Sequence, residues 1–101
     1  MSKGKRISPV VSKSAGTIGD HIGAWRRIQR ISQVELAERA GVGREVVSRL
    51  ENGDTSVGLG KVLSICRVLG ILSQVEESFD PASTEYGRLQ LVQGLPERVR
   101  R

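Results

Sequence analysis

The chain has few of the residues on which catalytic and metal sites depend. Among its 101 residues are one cysteine and one histidine. A single cysteine excludes an internal disulfide and a cysteine-rich zinc site, and a lone histidine has no histidine partner. No Ser/His/Asp, Cys/His or paired-carboxylate arrangement suggests catalysis. We therefore expect no enzyme activity, no metal and no cofactor, in a reducing compartment such as the cytoplasm.

Long apolar segments are also absent from the sequence. No stretch approaches the roughly 20 apolar residues that a membrane-spanning helix requires. The basic N-terminus is not followed by an apolar run, so we expect no signal peptide. The expected location is the cytoplasm, associated with the nucleoid, with no membrane partner.

The net charge of +5 is concentrated at the two ends of the chain. Residues 1–16 contain four basic residues and no acidic one, and residues 88–101 contain four arginines and one glutamate. Residues 17–57 contain six of each sign. This distribution fits a polyanionic partner but does not establish one.

Apolar periodicity predicts an all-α protein with five short helices. They are expected over about 17–29, from the Ser32 cap to about 40, and over about 44–52, 59–69 and 72–79. Residues 1–16, rich in Ser, Lys and Gly, are expected to form a flexible, disordered basic arm. The expected domain is 17–80. Residues 81–101 would be a C-terminal extension for dimer or partner contacts, with a weak apolar pattern that fits a helix or a strand.

The core should consist of residues that repeat at helical spacing. Ile18, Ile22 and Trp25 are expected to form the inward face of the first helix, with His21 partly exposed between them. The other expected core residues are Leu36, Ala37, Ala40, Val42, Val46, Val47, Leu50, Leu59, Val62, Ile65, Cys66 and Leu69. At the start of the second helix, Ser32 and Glu35 have the spacing of a capping box, and Gly41 after its end suits a left-handed helix end.

The third helix, within GREVVSRLENG at 43–53, has one apolar and one polar face. Val46, Val47 and Leu50 fall within one arc of a helical wheel, opposite Arg44, Glu45, Ser48, Arg49 and Asn52. One interpretation is an ordinary solvated face with an i,i+4 pair between Glu45 and Arg49. The other is the second helix of a helix-turn-helix, in which Arg44 hydrogen-bonds guanine and Glu45 accepts from cytosine.

A family resemblance favours the second interpretation. The segment ISQVELAERAGVGREVVSRLENG resembles the core motif of the Xre/Cro–CI family of bacterial and phage DNA-binding domains, which have a lambda-repressor-like fold. The resemblance implies that double-stranded DNA is the partner. It implies that Arg44, Glu45, Ser48 and Arg49 read bases and that Gln33 and Asn52 bind phosphates. It also implies a structural ion pair between Arg26 and Glu51.

The sequence departs from that family pattern at three places. Gly43 stands where serine is usual, Arg30 where glycine often precedes Leu-Ser-Gln, and Val57-Gly58 where Pro-Ser is common. These departures put local stability in doubt, together with the contacts near Gly43, but not the fold.

The sequence after the motif resembles HipB-like regulators in Ser-Val-x-Leu-Gly, Leu-Gly-Ile-Leu, Phe-Asp-Pro, Gly-Arg-Leu and Leu-Pro-x-Arg-Val-Arg. This resemblance implies an antitoxin and repressor that autoregulates its operon as a homodimer on an inverted repeat. It also implies a HipA-like serine/threonine kinase toxin as a partner. The alternative is an interaction module that mainly docks such a kinase or another regulator through residues 72–101.

The basic ends allow two interpretations each. The basic residues at 3–13 either aid solubility or reach along a DNA groove and add salt-sensitive affinity. Arg98, Arg100 and Arg101 would contact either DNA or an acidic surface of a partner.

Overall fold

The computed structural model describes residues 6–97, and these form two compact units, one ending at Ile71 and the other beginning at Leu72. The first unit contains α1 (Pro9–Ile28), α2 (Gln33–Ala40), α3 (Arg44–Glu51) and α4 (Leu59–Leu69). The second contains α5 (Leu72–Phe79), a 3-10 turn (Pro81–Ser83) and α6 (Glu85–Gln93). Over residues 6–97 there is no strand, so the all-α fold class is confirmed for this part of the chain.

Helix α1 begins eight residues earlier than predicted. Residues 9–16 were expected to belong to a disordered arm, but they are helical. The Ser8 hydroxyl accepts a hydrogen bond from the N–H of Val10 at 3.2 Å, and Pro9 occupies the first helical position, where its fixed φ suits a helix. The prediction of a disordered arm rested on the composition of residues 1–16 and did not use the helix-start signal of Ser8 and Pro9. Residues 1–5 of the expected arm lie outside the described part.

The first unit has its core between α1, α2, α3 and α4. Among the residues predicted to be buried, Ile22, Leu36, Ala37, Val46, Val47, Leu50, Ile65, Cys66 and Leu69 are buried. The prediction was wrong for Leu59, which is 68% exposed in the first turn of α4. Ala40, Val42 and Val62 are only half-buried.

The inward face of α1 is also different from the prediction. Ile18 is 52% exposed and Trp25 is 38% exposed, because α1 packs through Gly19, Ile22 and Gly23. A Cβ on Gly19 would lie 2.5 Å from the carbonyl oxygen of Leu50, so only glycine allows α1 to approach the end of α3 this closely. The packing surface therefore follows the small residues of α1 and not its largest apolar ones.

The second unit, described to residue 97, adds a sixth α-helix to the expected five. Helix α6 resolves the ambiguous pattern after residue 80 as helix. The Asp80 side chain caps the 3-10 turn and the Thr84 side chain caps α6. Helix α5 matches its expected range, and it clusters with the 3-10 turn and α6. Arg98, Arg100 and Arg101 lie outside the described residues.

Within residues 6–97, no helix has the length and apolarity needed to cross a membrane.

Candidate nucleic-acid interface

Helices α2 and α3 are joined by a tight turn at residues 41–43, and local structure fixes both ends of α2. The Ser32 hydroxyl accepts from the Glu35 N–H at 3.0 Å, and the Glu35 carboxylate accepts from the Ser32 N–H at 2.9 Å. The expected capping box is therefore confirmed. Gly41 ends α2 at φ 71°, a left-handed conformation that favours glycine. Two residues later, Gly43 begins α3 without a side-chain cap.

Helix α3 is held to the first unit by one face and exposes the other. Val46, Val47 and Leu50 are buried, as predicted. Arg44, Glu45 and Arg49 are exposed and Ser48 is half-buried. These last four residues line one shallow depression on the protein surface, so all the residues predicted to read bases lie together. The result is a helix anchored by its apolar face, with a continuous polar outer face of both donors and acceptors.

Arg49 pairs with a residue outside α3. Its Nε lies 2.9 Å from Asp54 Oδ2, and its Nη2 donates to the Ser56 hydroxyl at 3.2 Å. The solvated-face interpretation included an i,i+4 ion pair between Glu45 and Arg49, and within the described residues this pair is not formed. Hydrogen bonds from the Ser56 hydroxyl and N–H, and then from Arg49, lower the pKa of Asp54 to about 2. Asp54 therefore stays charged and holds Arg49 at the C-terminal end of the polar face.

Sequence reasoning missed this role of Asp54. The sequence did contain a usable signal, because Asp-x-Ser in a loop favours an Asx turn, in which the aspartate accepts a hydrogen bond from the N–H two residues on. That hydrogen bond is present at 2.8 Å between Ser56 N–H and Asp54 Oδ1.

The predicted ion pair between Arg26 and Glu51 is confirmed. Two hydrogen bonds join the side chains, Nε to Oε2 at 2.6 Å and Nη2 to Oε1 at 3.0 Å, and Arg26 Nη1 also donates to the Ile31 carbonyl at 3.1 Å. Burial alone would raise the pKa of Glu51, but hydrogen bonds from Arg26 and Gln33 and the charge of Arg26 lower it below its usual value. The hydrogen bond to Glu51 in turn raises the pKa of Arg26. The pair fixes the end of α3 against α1.

The two residues predicted to bind phosphates differ in their surroundings. Gln33, at the first position of α2, is half-buried and its Nε2 donates to Glu51 Oε1 at 3.1 Å. Asn52 is exposed at the C-terminal cap of α3, where its N–H is bonded to carbonyls of the last turn. Gln33 therefore links the start of α2 to the ion pair, whereas the side chain of Asn52 lies on the surface.

Arg30 occupies the position where the motif often has glycine. Its φ is +61°, the only positive φ of a non-glycine residue within residues 6–97. The Arg30 N–H bonds to the Arg27 carbonyl and the Ile31 N–H to the Arg26 carbonyl, at 3.0 and 3.3 Å. These two bonds form the Schellman ending of α1, whose left-handed residue is normally glycine. The departure from the motif is therefore a strained arginine at a helix end.

Comparison with known proteins agrees with this geometry. A family model described as "Helix-turn-helix" matches residues 22–73, just over half of the chain and the segment that contains α2, the turn and α3. The chain therefore belongs to the helix-turn-helix family, of the Xre/Cro–CI type, and is a DNA-binding transcription regulator.

One curated protein is similar to this chain over a segment about as long as the one that the family model matches. The chain is 38% identical over 58 residues to the uncharacterized HTH-type transcriptional regulator y4mF of Sinorhizobium fredii. The alignment covers 57% of this chain and 76% of that protein. No solved structure matches the chain.

Proposed function

We propose that this regulator is a repressor that binds an inverted repeat as a homodimer, with α3 in the major groove of each half-site. The observation that supports this most is the polar outer face of α3 on a helix held by three buried apolar residues and an ion pair. A reading helix must be rigid, because a hydrogen bond to a base edge discriminates only when the side chain is positioned before contact. Two-fold symmetry of the protein would match half-sites about 34 Å apart.

The roles of the outer residues follow from their chemistry. Arg44, at the start of α3, would donate two hydrogen bonds to the O6 and N7 atoms of a guanine. Glu45, beside it, would accept a hydrogen bond from the N4 amine of a cytosine. The Ser48 hydroxyl both donates and accepts, so it would bond to a donor or an acceptor on a base edge. Arg49 would act at the far end of the helix, in the orientation that Asp54 gives it.

Residues beside the base-reading face of α3 would contact DNA phosphates. Gln33 and the N-terminal N–H groups of α2 would face one phosphate, with the Gln33 amide oriented by Glu51. Asn52 would donate its exposed side-chain amide to another phosphate at the end of α3. Bound across a promoter, the dimer would repress transcription by blocking access to it.

The test is binding to the DNA upstream of the protein's own gene, compared with a scrambled duplex. Arg44→Ala should weaken binding to the specific duplex by about 1–3 kcal/mol, or roughly 5- to 150-fold, and should relax preference at one base position. Arg67→Ala is the matched control, because it removes the same charge from the exposed surface of α4. Equal binding of wild type and Arg44→Ala to both duplexes would contradict the proposal.

We further propose that the chain is a HipB-like antitoxin, whose second unit docks a HipA-like kinase. Unit two, as described to residue 97, is short and exposes several large apolar side chains: Phe79, Tyr86, Leu89, Val92 and Leu95. Exposed apolar surface of this kind is typical of a protein-interaction site. In the alternative function this docking is the main activity and DNA binding is secondary.

Co-purification separates these functions. The full chain, expressed with a kinase encoded in the same operon, should retain the kinase, and Phe79→Ser with Val92→Ser should release it while DNA binding is unchanged. Retention of the kinase without any shift of the upstream DNA at moderate salt would favour the alternative. Failure of the wild-type chain to retain the kinase would contradict the antitoxin role.

A further inference from the structure

Arg27 lies next to the ion pair that anchors α3, but it takes no part in that pair. It follows Gly23 by one turn of α1, and Gly23 is buried beside the end of α3. A Cβ at Gly23 would lie 3.2 Å from Arg27 Nη1 and 3.2 Å from Glu51 Oε1. Within residues 6–97, Arg27 belongs to no ion pair. Its guanidinium therefore lies close to the Glu51 carboxylate without pairing with it, and Arg27 remains exposed.

The absence of a side chain at Gly23 allows this position. Long side chains on a helix lean back towards its N-terminus, over the residue four positions earlier. At position 23 that residue has no Cβ, so the Arg27 side chain can follow the surface of α1 towards Glu51. The place of the Arg27 charge therefore depends on a small residue of the face that packs α1 against α3.

The charges at this point do not balance. Arg26 and Arg27 carry two positive charges, and Glu51 carries one negative charge. Glu51 already accepts two hydrogen bonds from Arg26, at 2.6 and 3.0 Å, and one from Gln33 at 3.1 Å. Burial alone would raise the pKa of Glu51; these hydrogen bonds and the charge of Arg26 lower it, and the charge of Arg27 contributes least. Arg27 is thus the weakest partner of Glu51, and its charge is available to another anion.

This positive charge lies at the end of the helix that would read bases. Glu51 is the last residue of α3, and Gln33, which bonds to it, is the first residue of α2. Phosphates line both edges of the major groove, so a basic group beside a helix in the groove is placed to contact one. We infer that Arg27 binds a DNA phosphate, the same one that Gln33 contacts. The inference rests on the proposed function, in which α3 lies in the major groove.

Arg27 and Gln33 would act differently on that phosphate. Gln33 donates one amide N–H to Glu51, which leaves the other for a phosphate oxygen. That hydrogen bond adds affinity but no charge. Arg27 adds a charge, which releases a counterion from the DNA and makes binding dependent on salt. Neither contact depends on the base sequence.

Salt titrations of DNA binding distinguish these two roles. Fluorescence anisotropy would follow binding to the upstream duplex and to its scrambled counterpart between about 50 and 200 mM salt. Arg27→Ala should weaken binding to both duplexes several-fold and by the same factor. It should also reduce the slope of log K against log salt by about 0.9 for each protomer bound. Gln33→Ala should weaken binding to both duplexes but leave the slope unchanged.

Two further variants and a stability measurement serve as controls. Arg67→Ala removes the same charge from the exposed surface of α4, and its slope should equal that of wild type. Arg27→Lys keeps the charge and should keep the slope. Thermal unfolding should give both Arg27 variants a Tm within a few degrees of wild type, because the residue is exposed.

The outcomes separate this inference from the repressor function. The inference would be overturned if Arg27→Ala left the slope unchanged, if Arg67→Ala lowered it equally, or if Arg27→Lys lowered it as much as Arg27→Ala. A loss of affinity confined to the upstream duplex would also overturn it, because a phosphate contact does not discriminate between sequences. A wild type without preference for the upstream duplex, but with the expected slope changes, would support the inference and contradict the repressor function. A wild type that binds neither duplex would contradict both.

Discussion

The ion pair between Arg26 and Glu51 yields a stability prediction that depends only on the fold. Glu51→Gln keeps the shape of the side chain and removes its charge. The Arg26 and Glu51 side chains are 13% and 9% exposed, and two hydrogen bonds of 2.6 and 3.0 Å join them. In the variant, one amide N–H group faces the guanidinium donors, so Arg26 loses its charge partner and one acceptor.

The expected cost follows from this burial. Removing one partner of a buried pair destabilises by about 3–5 kcal/mol, and residual solvent access places this pair near the lower limit, about 3 kcal/mol. At about 4–8 °C per kcal/mol for a domain of this size, Tm should fall by about 12–24 °C. Urea and thermal unfolding would measure both quantities, and Glu38→Gln on the exposed face of α2 should change stability by less than about 0.5 kcal/mol.

A pH series identifies the carboxylate that is responsible. The pKa of Glu51 is lowered in the folded protein, so its contribution is present at neutral pH and is lost as the pH falls from about 4.5 through the folded value. The difference in stability between wild type and Glu51→Gln should therefore shrink below about pH 4.5. Other acidic groups, including Asp54, are common to both proteins and cancel in the difference. A loss below about 1 kcal/mol at pH 7, or a difference independent of pH, would refute the reasoning.

Three further substitutions test other local features. Gly19→Ala should destabilise by about 1–2 kcal/mol in urea unfolding, because its Cβ would meet the Leu50 carbonyl oxygen at 2.5 Å; an unchanged or raised stability would show that α1 and α3 are not in close contact. Arg30→Gly should stabilise by about 1 kcal/mol in the same assay, since φ is +61°, and a loss of stability would contradict the left-handed conformation. Asp54→Asn should weaken binding to the specific duplex more than to the scrambled one, by roughly 1 kcal/mol in fluorescence anisotropy, because Arg49 loses the ion pair that orients it. An unchanged preference would show that Asp54 does not position Arg49 for base contact.

The helix-turn-helix was predictable because its determinants are local. Ser32 and Glu35 cap α2 with side chains three residues apart, Gly41 ends it through its own φ, and the buried residues of α3 repeat at helical spacing. Each of these features depends on a few neighbouring residues. The Arg26–Glu51 pair is not local, and it was predicted only through the family motif.

Two predictions about α1 were wrong, one because a long-range contact decides its packing and one because a local helix-start signal outweighs composition. Trp25 and Ile18 were expected in the core on hydrophobicity, but the backbone approach allowed by Gly19 decides which face of α1 packs. Such an approach depends on where α3 ends, and the spacing of apolar residues in α1 does not contain that information. At the N-terminus, the composition of residues 1–16 favoured disorder, whereas the two-residue Ser8-Pro9 signal started a helix.

The central claim is that the outer face of α3 reads DNA sequence, and one measurement tests it most directly. Fluorescence anisotropy at about 150 mM salt would compare wild type, Arg44→Ala and Arg67→Ala on the duplex upstream of the gene and on its scrambled counterpart. The account predicts that Arg44→Ala loses most of the preference for the specific duplex and that Arg67→Ala keeps it. Equal preference in all three proteins, or no preference in wild type, would contradict the account.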